Sequence, residues 1–155
     1  MICLRYGQDK HEADDIMQEG LIQIYKDLHQ YNSKKSVFYT WSSRVIVHAA
    51  LKYLKKHSWH KLFEDLDEVR ELEDRSETIY ETLAAREMVD LIKTLPMGYR
   101  IIFSMYELEG YTHPEIAAQL DIAVGTSKSQ LSKAKKMLRS KLEYQIVEYS
   151  KKWSQ

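Results

Sequence analysis

One cysteine (Cys3), two prolines and five glycines are all that this 155-residue chain holds of those three residue types. A single cysteine excludes an intrachain disulfide, which suits a reducing cytoplasm. So few helix breakers, beside plentiful Leu, Lys, Glu, Ala and Gln, favour a mostly helical protein. No apolar run approaches the ~20 residues of a transmembrane span. Residues 1–10 lack the apolar stretch and cleavage site of a secretory signal. The composition points to a cytoplasmic helical protein without membrane insertion, long enough for one ordinary domain or two small ones.

Acid is missing locally. Residues 28–63 contain no Asp or Glu but seven bases, so the formal net charge of +0 conceals a sorting of charge along the chain. Residues 64–90 carry eleven acids against three bases, and residues 121–155 carry eight bases against three acids. Basic, acidic, basic is the order expected of two anion-binding modules separated by a repelling connector.

Apolar periodicity supplies the elements. Ala13, Ile16, Met17, Ile24 and Leu28 recur at helical spacing, predicting one amphipathic helix over residues 11–31 with Asp14, Asp15, Gln18 and Glu19 on or beside its other face. Gly20 weakens this helix by roughly 1 kcal/mol relative to Ala. After a polar turn at residues 31–36, a second helix is expected over 37–57, with a core stripe of Phe38, Trp41, Val45, Ala49 and Tyr53. Arg44, His48, Lys52 and Lys56, each four apart, form a basic stripe that suits a phosphate backbone. An ordinary wet helix face is the alternative.

Residues 60–79 read as an acidic tether. Helical periodicity resumes near Tyr80, breaks at Leu95-Pro96 and restarts to about Leu108, with Ile101, Ile102, Met105 and Tyr106 inward. Gly110 is the expected stop.

The strongest local signal lies in residues 112–139. Thr112-His-Pro-Glu115 matches a capping box. The short helix after it buries Ile116, Ala117 and Leu120, residues 121–123 turn, and Ile122 plugs the corner. A basic helix from about Val124 then buries Leu131, Ala134 and Leu138. This is the pattern of a helix-turn-helix, whose second helix enters the major groove; a plain αα-hairpin is the alternative. In that geometry Thr126, Lys128, Ser129, Gln130, Ser132 and Lys133 face DNA, with Gln130 able to pair with adenine and the lysines with guanine edges or phosphates.

No catalytic constellation is visible. The six histidines are scattered, and His57-x-x-His60 lacks neighbouring ligands in a metal arrangement. No enzyme activity, cofactor or metal is expected.

The chain resembles the extracytoplasmic-function (ECF) sigma factors. Glu12-Ala-Asp-Asp-Ile-Met-Gln-Glu19 is similar to the acidic signature of sigma region 2. Phe38-Tyr-Thr-Trp41-Ser-Ser-Arg44 and Ala50-Leu-Lys-Tyr-Leu54 are similar to its later blocks. Leu95-Pro96, Tyr99-Arg-Ile-Ile-Phe103, Glu109-Gly110, Glu115-Ile-Ala117 and Val124-Gly-Thr-Ser-Lys-Ser129 resemble region 4, and the block from Gly125 to Lys135 resembles the version common in Bacteroidetes members. The resemblance implies an all-α fold in four parts: region 2 over residues 1–59, the acidic linker over 60–79, region 4 over 80–142 and a helical tail over 143–155.

It also implies a function. Asp14, Asp15, Gln18 and Glu19 would dock on the polymerase β′ clamp. Lys34, Lys35, Phe38 and Trp41 would shape the loop and helix start that open the minus-ten element, where aromatic rings suit base stacking. Arg44, His48, Lys52 and Lys56 would follow the DNA backbone, and the helix bearing Lys128 and Lys133 would read the minus-thirty-five element. The partners implied are core RNA polymerase (β′ clamp, β flap), promoter DNA and an anti-sigma factor. The family more often carries Asn at His48, Asp at Lys52 and a capping Ser at Ala123, the last a loss of about 1 kcal/mol unless Thr126 substitutes. Region 2 ordinarily opens with a further helix before the stretch matched by residues 2–6, so a missing N-terminal piece is expected. A sigma-like decoy for an anti-sigma factor is an alternative, as is a plain helix-turn-helix regulator.

Overall fold

The computed structural model describes residues 2–57 and 85–152. Those residues form helices and no strand. The expected tether at 60–79 and the helix start at Tyr80 lie outside them.

A short first helix, α1 (Ile2–Tyr6), ends at Gly7. A Cβ on Gly7 would lie 2.7 Å from the Ala13 amide nitrogen, so only glycine lets the next helix fold back so closely. That helix, α2 (Lys10–Asp27), starts from Asp9, whose carboxylate accepts the Glu12 N–H at 2.9 Å. It ends in a 3-10 turn at Leu28–Gln30. The Asn32 side chain accepts the Lys34 N–H at 2.9 Å and holds the polar turn that follows. Helix α3 (Phe38–His57) then packs along α2. At their contact a Cβ on Gly20 would approach Ile46 Cγ1 to 3.1 Å. The helix penalty of this glycine thus accompanies a close approach of two helices.

The buried stripe of α3 differs from the expected one. Ala49 of that stripe is buried, together with Ser43, Val47, Ala50, Leu51 and Leu54, whereas Phe38 is 47% exposed and Trp41, Val45 and Tyr53 are only half-buried. Both adjacent faces of α3 are apolar, so periodicity alone admits either. The face bearing Val47, small Ala50, Leu51 and Leu54 allows close packing and is the buried one. Leu28, expected inside, is 49% exposed, because the chain leaves the α2 face in the 3-10 turn.

The second half comprises α4 (Ala85–Lys93), α5 (Met97–Phe103), a π-turn over Ser104–Leu108, α6 (His113–Leu120) and α7 (Val124–Lys152). In the π-turn the Glu109 N–H reaches Ser104 O at 3.0 Å, one residue further back than in an α-helix. Gly110 follows at φ 73°, and the Tyr111 N–H closes on Met105 O at 2.9 Å. The extra residue alters the helical phase, and Tyr106, expected inward, is 37% exposed. Helix α7 runs unbroken for 29 residues, about 43 Å at 1.5 Å per residue.

The two halves share one continuous core. Cys3, Tyr6, Val47 and Leu54 belong to the same buried cluster as Leu91, Ile92, Tyr99, Ile102, Leu138 and Leu142. Helix α1 lies between them, packing on α2 and α3 on one side and on α4 and α5 on the other.

Candidate polymerase and nucleic-acid interfaces

Four sets of side chains emerge on this scaffold. On α2, Asp14, Gln18 and Glu19 are exposed and Asp15 is half-buried, so the acidic ridge faces outward. Asp15 accepts the Tyr53 hydroxyl at 3.3 Å and lies 3.3 Å from His11 Nδ1. Desolvation first, then the Asp15 charge, raise the Tyr53 phenol above its usual range. The ridge continues into Leu21, Ile22 and Tyr25, of which Tyr25 is 81% exposed. Their signal in the sequence is that they are large apolar residues outside the core stripe, and a contiguous exposed group of this kind marks a contact surface.

At the start of α3 an aromatic cluster forms. Tyr31 and Phe38 meet edge to face with centroids 5.4 Å apart, Tyr31 and Trp41 lie at 5.4 Å, and Phe38 and Trp41 at 5.7 Å. The Tyr31 hydroxyl donates to Ser36 O at 3.3 Å and ties the cluster to the turn that exposes Lys34 and Lys35. Sequence reasoning placed Tyr31 in the turn and missed it as the third ring.

The basic stripe lies on the outside of α3. Arg44, His48, Lys52 and Lys56 are all exposed. A groove of about 430 Å³ separates Arg44, His48 and Lys52 from Glu19, Gln23 and Asp27 on α2, with Trp41 and Val45 in its lining. Acidic and basic sets that appear separate in the sequence therefore adjoin in space. The Arg44 guanidinium sits 5.6 Å from the Tyr111 ring centroid, a cation–π contact across the two halves, and the His48 ring lies 6.4 Å from the same tyrosine. Partial desolvation of the ring beside Tyr111, then the Arg44 charge, hold the His48 imidazole below its ordinary value.

In the second half, Thr112 caps α6. Glu115 accepts both the Thr112 N–H and hydroxyl at 2.7 Å, and Thr112 Oγ1 accepts the Glu115 N–H at 3.4 Å, completing the expected capping box. These bonds lower the Glu115 carboxyl. Asp121 turns the chain at φ 55°, and the Ile122 N–H closes on Ala117 O at 3.1 Å. On α7, Lys128, Ser129 and Ser132 are exposed, while Thr126 and Lys133 are half-buried.

Gln130 departs from expectation. It is 9% exposed, with its Oε1 buried and unpartnered among the described residues, so it turns inward instead of toward a base edge. The reason is helical phase: Gln130 neighbours Leu131 and stands three residues from buried Ser127 and four from Ala134, on the packed face. Ser127, fully buried, was not foreseen. It bonds His113 Nδ1 at 2.9 Å, and the His113 ring stacks on Tyr106 at 4.4 Å. This couples the first residue of α6 to the first turn of α7. Desolvation, then Lys128 and Lys135, lower the His113 imidazole and favour its neutral form. The ion pair of Lys135 with Glu107 at 2.7 Å anchors the same helix to the π-turn.

Among the described residues no His, Cys, Asp and Glu cluster can hold a metal, and no helix is long and apolar enough to cross a membrane. His60 of the His57-x-x-His60 pair lies outside those residues.

Comparison with known proteins bears on both halves. The family model for sigma-70 region 2 matches residues 1–60, and that for sigma-70 region 4 matches residues 85–138. An ECF RNA polymerase sigma-E factor of Haemophilus influenzae is 26% identical over 145 residues, covering 86% of this chain and 76% of the relative. The protein of the same name from Escherichia coli K12 is 26% identical over 143 residues, covering 85% and 74%. Among solved structures, the sigma factor RpoE in complex with the anti-sigma factor NepR from Bartonella quintana aligns with TM-score 0.56 at 18% identity, over 92% of this chain and 88% of that one. CnrH in complex with the cytosolic domain of CnrY aligns with TM-score 0.50 at 16% identity, over 92% and 79%. At these identities the structural likeness concerns the fold.

Proposed function

The chain belongs to the sigma-70 family, among its ECF sigma factors, and from that premise we propose how its surfaces divide the work of promoter-specific transcription initiation. The work is binding and positioning; RNA synthesis belongs to the polymerase. The observation that carries this reading is the presence, in order, of an outward acidic ridge with an adjoining basic stripe and then a capped helix-turn-helix.

Asp14, Asp15, Gln18 and Glu19, extended by Leu21, Ile22 and Tyr25, dock on the polymerase β′ clamp, pairing charge at one end with apolar contact at the other. Region 4 meets the β flap. Lys34 and Lys35 neutralise phosphates near the minus-ten element, and the ring cluster of Tyr31, Phe38 and Trp41 offers faces on which unpaired bases stack. Arg44, His48, Lys52 and Lys56 follow the adjoining backbone, where cations release condensed counterions. The first turns of α7 enter the major groove at the minus-thirty-five element. Lys128, Ser129, Ser132 and Lys133 contact bases and phosphates there, with Thr126 at the helix start. Gln130 is absent from this set because it is buried.

The domains divide at 1–59, 60–79, 80–142 and 143–155. The chain acts in the cytoplasm, where the polymerase is, and an anti-sigma factor restrains it. Kinship with Bacteroidetes members is part of this proposal, supported by the resemblance of the block from Gly125 to Lys135.

The test is in vitro transcription with core polymerase and a genomic promoter library. Discrete new start sites that require the chain are expected. Transcripts indistinguishable from those of core enzyme alone would overturn the proposal.

A further inference from the structure

Arg5 on α1 forms a salt bridge with Glu109, and both side chains are about nine-tenths buried, at 10% and 8% exposure, so this pair serves the packing of the fold. A neutral polar pair is placed differently, inside the helix-turn-helix, where packing alone would favour an apolar residue. Ser127 is 0% exposed in the first turn of α7, one residue before the outward Lys128. Its hydroxyl lies 2.9 Å from Nδ1 of His113, the first residue of α6, so a buried polar group is matched across the turn.

His113 is itself firmly held. Thr112 and Glu115 cap the helix that it begins, and its ring stacks on Tyr106 with centroids 4.4 Å apart and planes 25° apart. The start of α7 lacks equivalent support from the residue before it, because the Ala123 side chain has no acceptor for the first amides. The bond therefore ties the DNA-facing end of α7 to a helix start that is already capped and stacked.

Such a tie bears unequally on two kinds of DNA contact. Lysine reaches phosphate through a flexible stem and a charge, both tolerant of a slightly displaced helix. A hydrogen bond to a base edge needs distance and angle together, so a helix that rolls or slides loses it. Exposed Ser129 and Ser132, with short side chains, depend on the second kind; Lys128 can rely on the first.

We propose, on the sigma-factor reading, that His113 and Ser127 are positioning residues whose hydrogen bond fixes the roll of α7 in the major groove and thereby sets discrimination among minus-thirty-five sequences. Affinity for DNA as such stays with the lysines. The Ser127 hydroxyl donates and Nδ1 accepts, which requires a neutral ring. Burial first, then the charges of Lys128 and Lys135 on α7, disfavour the imidazolium. The nearby carboxylates are engaged elsewhere: Glu107 in the π-turn pairs with Lys135 at 2.7 Å, and Glu115 on α6 with Thr112 at 2.7 Å.

Nitrogen NMR of the imidazoles tests the bond in the free chain. The His113 ring should carry its proton on Nε2, and Ser127→Ala should shift its Nδ1 resonance. A resonance unmoved by that substitution would overturn the bond, whatever the chain does with polymerase.

Transcription by the holoenzyme tests the selectivity. The readout is the yield from a promoter recovered from the genomic library, divided by the yield from the same promoter with its minus-thirty-five element scrambled. Ser127→Ala, and His113→Phe, which keeps a ring on Tyr106, should each lower this ratio about tenfold, the worth of one base contact. The double variant should fall no further than either single one. His113→Asn, which offers an amide oxygen near the place of Nδ1, should keep most of the ratio although it loses the stack. Yield from the scrambled promoter and helix content by circular dichroism should stay at wild-type levels. Equal loss on both promoters would assign the pair to fold support alone and overturn the proposal, as would an unchanged ratio in folded variants. A wild-type holoenzyme without promoter-dependent starts would remove the sigma function and the selectivity claim with it, leaving only the bond, which the NMR reads separately.

Discussion

Lys128 is exposed and Lys133 half-buried on α7 while Gln130, between them, is buried, so positions within two helix turns carry different fates. Reversing both lysines to Glu should abolish the upstream part of a DNase footprint while core co-purification stays intact. An unchanged footprint would remove these residues from the DNA surface. Reversing Asp15 and Glu19 to Lys should do the opposite, losing core co-purification while the folded helix content remains. Gly110 allows a third experiment. Nothing lies within 4 Å of a Cβ built there, so Gly110→Ala meets only the left-handed backbone at φ 73° and should cost about 1–2 kcal/mol in denaturant unfolding. The charged and capping residues were legible in the sequence because spacing and residue type alone fix their placement. Ser127 and His113 were not, since their hydrogen bond joins two helices whose relative position no local pattern encodes.

Elements were easier to find than their inward faces. The turns at Pro96, Gly110 and Thr112, and the start of α7 at Val124, follow directly from proline, glycine and capping chemistry. The inward face of α3 did not, because two adjacent apolar stripes compete and the side on which α1 and α2 pack, with α2 close at Gly20, decides between them. That approach also sets a prediction. Gly20→Leu should force α2 from Ile46 and destabilise the protein by about 1–3 kcal/mol, read as a lower denaturation midpoint. The π-turn was invisible beforehand, for it needs one extra residue per turn and carries no marker in composition. Without it Glu109 and Tyr111 would fall at a different phase of the helix, and their contacts with Arg5 and Arg44 would be lost.

At the scale of the whole molecule, acidity should loosen the fold. His48 and His113 are both held below their ordinary value of 6.5, His48 by burial and Arg44, His113 by burial with Lys128 and Lys135. The unfolded chain binds protons at these sites first, so their contribution is fully present above about 6.5 and is lost as pH falls from there toward the lowered folded values. The thermal midpoint should therefore drop between about pH 7.5 and 5.5. His48→Gln with His113→Gln should flatten that slope; an equally steep slope in the double variant would assign the effect elsewhere. The shared core was the least legible feature at this scale, because a sorted charge pattern suggests two separate modules and says nothing of Arg5 meeting Glu109, a pair separated by 104 positions in sequence. That separation also bears on how the chain is made. Synthesis proceeds from the first residue at about 5–20 residues per second, so Arg5 waits roughly 5–20 s before Glu109 exists at all. Throughout that interval the nascent first half presents an uncovered α1 face and an unmatched cation, which makes the newborn chain, ahead of the finished one, the form most open to capture by chaperones or by nucleic acid.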